Sequence, residues 1–166
     1  DDEREIGELP TQPFVADYLQ DLIEQDRPLA AQVGRAGHQL ISGFDAAMTT
    51  CIGGDRPRAY TVLYDHPAFA QRQAQMLWNL WARAQRLDWL SHVRMSARAD
   101  ERGDLNNRMY DLAYEWTPFS HYDKPDAVAA RMQQLARQLL PGAGVFIVGP
   151  SAVGDGCRAA GMHVQA

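Results

Sequence analysis

An alternation limits this chain's fold more than any motif does. Short apolar runs stop at glycine, proline or charge, and between them lie segments whose apolar residues recur every three or four positions. The clearest run is "AGVFIVGP", residues 143–150, which is continuous rather than alternating, as expected of a strand covered on both faces. "HQLISGF" is a short apolar run suited to a buried strand, "AYTVLYDHP" has strong strand character in Tyr60, Val62, Leu63 and Tyr64 and is stopped by Pro67, and "HVRMSA" and "RMYDLAYEW" are read as two further strands. They predict strands near 38–43, 60–65, 92–96, 109–115 and 144–149, with a sixth in "MHVQA" near 162–165.

The intervening segments carry a helical period. Pro13 opens "PFVADYLQDLIEQD", in which Phe14, Tyr18 and Leu22 form one stripe and Val15, Leu19 and Ile23 another. "PLAAQVGRAG" is a second helical piece, and "AAMTT" reads as a short helix or turn. The longest helix is expected over 68–90, with Phe69, Met76, Leu77, Leu80, Trp81, Ala84 and Leu87 on its apolar stripe. Another begins at an Asp123 cap with Lys124 and Pro125 in its first turn, buries Val128, Met132, Leu135 and Leu139, and ends at "PG". Strands alternating with helices at this spacing require crossover connections. The expected fold is therefore α/β and Rossmann-like, a mostly parallel sheet with helices on both faces.

Composition narrows the function classes. With 166 residues, 46% hydrophobic, one core is expected, organised as a flexible acidic head (1–10), an N-terminal helical segment (11–37) and an α/β domain (38–166). A net charge of -5, with 16 basic residues spread among 21 acidic ones, argues against extended nucleic-acid binding. The two cysteines, Cys51 and Cys157, are far apart and have no ligand spacing, so neither a disulfide framework nor a metal site is expected. No run approaches the roughly 18–20 apolar residues of a membrane span, and the acidic start is unlike a signal peptide. The chain reads as a cytoplasmic protein without membrane contact.

In open α/β folds, ligands sit at the carboxyl edge of the sheet. The strand at 109–115 runs there into "TPFSHYDKP". Glu115, Trp116 and Phe119 read either as the lining of a substrate pocket or as residues sealing the core. His121, in the same loop, is a general base by position, or a solvated histidine. Asp65 reads as a turn or helix-cap residue before His66 and Pro67. Trp78, Trp81 and Trp89 read as packing residues or as an interface, for which a protein partner or a second copy is the expected occupant. Neither GxGxxG nor GxxxxGK[ST] occurs.

The succession "TVLYDHP", long helix, "HVRMSARADE", "MYDLAYEW", and "LARQLLPGAGVFIVGP" resembles the second through fifth strands of class I S-adenosylmethionine-dependent methyltransferases, over residues 38–166. That resemblance implies S-adenosylmethionine as cofactor, with Asp65 accepting from its ribose hydroxyls, Asp100 beside its adenine and Gly43 in the turn after the first strand. It also implies a seventh strand beyond "MHVQA", so the fold is expected to lack its last strand. The departure falls in that first turn, where "ISGFDAAMTT" stands in place of an acidic residue followed by Gly-x-Gly. Glycines there let the backbone approach a ligand where a Cβ would not fit. Phe44, or the backbone of 45–48, is expected to fill part of the space for the methionine tail. The resulting expectation is a degenerate, non-catalytic domain with a binding or regulatory role, the alternative being an active methyltransferase for a small-molecule or protein acceptor.

Overall fold

The computed structural model describes residues 13–52, 58–86, 92–98, 109–116, 125–149 and 152–165. Its elements run α1 (Pro13–Gln25), α2 (Arg27–Arg35), β1 (His38–Ser42), α3 (Ala46–Thr49), β2 (Ala59–Tyr64), α4 (Pro67–Arg83), β3 (Val93–Ala97), β4 (Tyr110–Trp116), α5 (Pro125–Gln138), β5 (Leu139–Val148) and α6 (Ala152–Ala159). The strands form one five-stranded sheet of order β3-β2-β1-β4-β5. Every pairing in it is parallel.

That order explains where the helices lie. From β1 the chain steps outward to β2 and β3, then returns across the sheet to β4 and steps outward the other way to β5. Crossovers of constant hand must change face when the direction of travel changes. Accordingly, Leu77 and Trp81 of α4 pack on the face of Ile41, Val62 and Tyr114. Met132 and Leu135 of α5 pack on the opposite face, with Leu40, Leu63 and Ala113. The reversal creates a topological switch point between β1 and β4, the fold's usual place for a ligand.

The N-terminal helices join the first face. Ala16, Leu19 and Ile23 of α1 and Val33 of α2 are buried in the same core as the sheet residues. Of the two apolar stripes in α1, one buries Leu19 and Ile23 and partly buries Val15, while Tyr18 and Leu22 of the other stand 65% and 42% exposed. α2 is capped by Asp26, whose side chain accepts from the Leu29 amide at 3.1 Å.

Three boundaries differ from expectation for identifiable reasons. α4 buries Phe69, Gln73, Leu77 and Trp81, a spacing of four, leaves Met76 exposed and ends at Arg83. β5 begins at Leu139 rather than near 144, so Pro141 and Gly142 fall inside the strand, where a register shift separates the Tyr110–Leu139 pair from the Leu112–Gly144 pair. Proline is tolerated there because β5 is an edge strand, and Gly142 takes the φ of +81° that the irregularity needs. Residues 162–165, expected as a sixth strand, are not one. Met162 and Val164 still pack against the second core, but a strand requires a hydrogen-bonded neighbour, and the sheet ends at β5 among the described residues.

No described helix is long and apolar enough to cross a membrane. Among the described residues no three His, Cys, Asp or Glu side chains gather as metal ligands.

Candidate functional site

All five strands deliver their carboxyl ends to one edge, which brings together Ser42 and Gly43 after β1, Asp65 after β2, Arg98 after β3, and Glu115 and Trp116 at the end of β4. Ser42 is in register with Glu115, so the switch point lies between these two residues. What each side chain does there follows from its neighbours.

Asp65 does not cap α4, since the N-cap position is His66. Its carboxylate instead accepts from Arg98 Nε at 3.1 Å (Oδ1) and 3.3 Å (Oδ2). Arg98 Nη2 donates to the Ser42 hydroxyl at 2.8 Å. One arginine thus crosses the ends of β3, β2 and β1. The pair is partly open to water, with 30% of the Arg98 side chain and 49% of the Asp65 side chain exposed.

Glu115 faces the other way, into the layer beneath α5, and is 1% exposed. Arg131 of α5 meets it with two parallel bonds, Nε to Oε1 and Nη2 to Oε2, both 3.0 Å. This buried fork ties α5 to the carboxyl end of β4. Trp116 is half-buried against the first core.

Trp116 also explains why a glycine follows Ser42. Gly43 has φ +79°, and a Cβ added there would lie 3.0 Å from Trp116 Cβ and 3.2 Å from its carbonyl oxygen. The packing of β1 on β4 demands glycine at 43, independently of any ligand. Gly43→Ala is therefore expected to lower stability by about 1–3 kcal/mol, read from the midpoint of urea unfolding. An unchanged midpoint would show that the turn relaxes freely.

The segment after Gly43 folds into the single helical turn α3. Asp45 is its N-cap, and its carboxylate accepts from the Met48 amide at 2.9 Å. Gln73 of α4, 1% exposed, supplies the next partner, its Oε1 accepting from the Ala46 amide at 2.9 Å. Phe44 turns into the first core, 1% exposed, with its ring 5.7 Å from that of Tyr114. Tyr114 is stacked in turn on Phe146 at 5.6 Å. Burial, helped by neighbouring Tyr60 and opposed by Arg58, pushes the Tyr114 hydroxyl far above the ordinary phenol range, so it stays protonated. The Cys51 thiol is also pushed up, chiefly by burial and then by Asp45 and Asp17.

The structure brings Gly43, Asp65, Glu115 and Trp116 to the same edge and sends Glu115 below it. Asp100, Phe119 and His121 lie outside the described residues, as do Trp89, Asp123 and the side chains of Phe14 and Val128. Of the tryptophans on α4, Trp81 is buried and donates from Nε1 to Thr50 Oγ1 at 3.2 Å, while Trp78 is 52% exposed. Arg98, Arg131 and Gln73 are the hydrogen-bond partners at this edge that the sequence did not announce. Only Gln73 left a trace, as a polar residue at the spacing of the buried stripe of α4.

No protein-family model matches this chain, and no curated protein matches it. Among solved structures it is similar to a "putative sarcosine dimethylglycine methyltransferase" from Galdieria sulphuraria, at 15% identity and a TM-score of 0.44. The alignment covers 82% of this chain and spans half (50%) of the length of that one.

Proposed function

We propose that this chain is a methyltransferase-like α/β domain with a degenerate cofactor turn, and that its role is binding or regulation rather than methyl transfer. The β3-β2-β1-β4-β5 order and the run of motifs from "TVLYDHP" to "VFIVGP" support the methyltransferase-like part. One observation carries the rest. A ligand at the switch point needs free backbone amides and little bulk after β1. Here the Ala46 amide is bonded to Gln73 and the Met48 amide to Asp45, inside a turn whose Phe44, Ala46 and Ala47 are all buried. Those residues do not fit a methionine tail without undoing α3. The expected partner is then a protein, and the half-exposed Trp78 on α4 is an aromatic anchor for one.

The alternative, an active S-adenosylmethionine-dependent methyltransferase, is favoured by the position of Asp65, an acid at the end of β2 on the switch-point edge. Calorimetric titration of the chain with S-adenosylmethionine and with its demethylated product separates the two readings. A dissociation constant weaker than about 1 mM is expected for both ligands. Micromolar binding would restore the enzyme.

A further inference from the structure

The strands' carboxyl ends hold a second obstacle, independent of the turn after β1. In open α/β sheets an acid about 20 residues beyond the first turn accepts hydrogen bonds from a sugar diol. Asp65 stands at that place, and its side chain, 49% exposed, is within reach of a ligand. It is nevertheless already used. Arg98 Nε holds both carboxylate oxygens, and Arg98 Nη2 holds the Ser42 hydroxyl. The remaining guanidinium nitrogen, Nη1, is shut off from solvent and has no hydrogen-bond partner among the described residues. Arg98 thus balances the charge of the acceptor a diol would use and competes for its lone pairs, and the one uncommitted nitrogen is out of an anion's reach.

We propose that Arg98 is the specificity-determining residue of this edge, weakening it for diol-bearing ligands by pairing with Asp65 and Ser42. Resting on the reading of a methyltransferase-like domain with an unfit turn, this assigns the exclusion of a nucleoside to a side chain instead of to the backbone. Both partners of the Arg98–Asp65 pair are partly solvated, so losing the pair itself costs little, while the buried Ser42 hydroxyl loses this donor.

The test uses the whole chain and two nucleosides, adenosine and 2′-deoxyadenosine, titrated into the unmodified protein, Arg98→Ala, Arg98→Gln and the double variant Arg98→Ala with Asp65→Asn. Nucleosides have no methionine tail, so the result does not depend on the turn at Phe44. Arg98→Ala is expected to bind adenosine about tenfold tighter than the unmodified chain, the size of a hydrogen bond to a freed charged acceptor. The gain should shrink for 2′-deoxyadenosine and vanish in the double variant. Arg98→Gln, which cannot fork across Asp65 and Ser42, carries the same comparison if the alanine variant fails to fold. Equal affinities with and without Arg98, or a gain that survives Asp65→Asn, overturn the proposal and leave the functional reading standing. Micromolar S-adenosylmethionine binding by the unmodified chain overturns the functional reading, while the ratio of adenosine affinities still decides the role of Arg98.

Discussion

Replacing Glu115 with alanine is expected to destabilise the fold by about 3–5 kcal/mol, because it takes a doubly hydrogen-bonded carboxylate away from a buried guanidinium. Glu115 and Arg131 side chains are 2% and 6% exposed, too little for water to replace the lost bonds. The pair also joins the carboxyl end of β4 to α5, so the helix that caps the second core loses its tether along with the charge balance. Urea unfolding followed by circular dichroism measures the loss. Glu115→Leu combined with Arg131→Met should recover most of it, since an apolar pair of similar volume carries no desolvation cost. A loss below about 1 kcal/mol in the single variant would show that Arg131 reaches another acceptor or water, as exposed pairs do. The same variant bears on function, because a pocket-lining Glu115 would be removable at small cost to stability.

The strands were legible because their signal is local. The runs read as 38–43, 60–65, 92–96 and 109–115 appear as β1 to β4, displaced by one residue or so, since each gathers aliphatic, β-branched or aromatic residues into a short run bounded by turn signals. What the sequence hid depends on how elements meet. α1 carries two apolar stripes, and only the seating of the helix on the sheet decides that Leu19 and Ile23 are buried while Tyr18 and Leu22 are not. Pro141 and Gly142 read as a stop signal, yet an edge strand absorbs both through a register shift. Residues 162–165 have strand composition without a strand partner among the described residues. The candidate site was legible in its acids and illegible in their partners. Arg98 lies 33 residues from Asp65, and Arg131 lies 16 from Glu115. No spacing rule connects them, because each contact exists only after a crossover has brought two strand or helix ends together. A carboxylate at the right edge therefore announces a ligand site and a salt bridge equally well, and only its partner distinguishes the two.

Truncating Phe44 to alanine is expected to cost about 3–5 kcal/mol, the loss typical of removing a buried phenyl ring that its surroundings cannot refill. The ring is 1% exposed and lies against Tyr114, which is held in turn by Phe146, so three aromatic residues share one layer of the first core. Read from sequence, Phe44 is bulk standing where a cofactor tail would enter, and Phe44→Gly with Ala46→Gly is the change that would open the turn. The structure gives these substitutions a different consequence. Phe44 points into the core, so its removal leaves a void beneath α3, while the amides of Ala46 and Met48 stay bonded to Gln73 and Asp45. A glycine at 44 adds about 0.5–1 kcal/mol of backbone entropy to that loss. The double variant should thus unfold at clearly lower urea and show no improvement in S-adenosylmethionine binding. Phe44→Leu, which keeps most of the volume, should lose much less. To weaken the turn itself, Gln73→Ala is the sharper change, since it frees the Ala46 amide and leaves the aromatic layer in place. If the double glycine variant stays folded and gains affinity for S-adenosylmethionine, then Phe44 itself obstructs the tail and the edge is a damaged cofactor site. If it only loses stability, Phe44 is a core residue and not an obstruction of a ligand site.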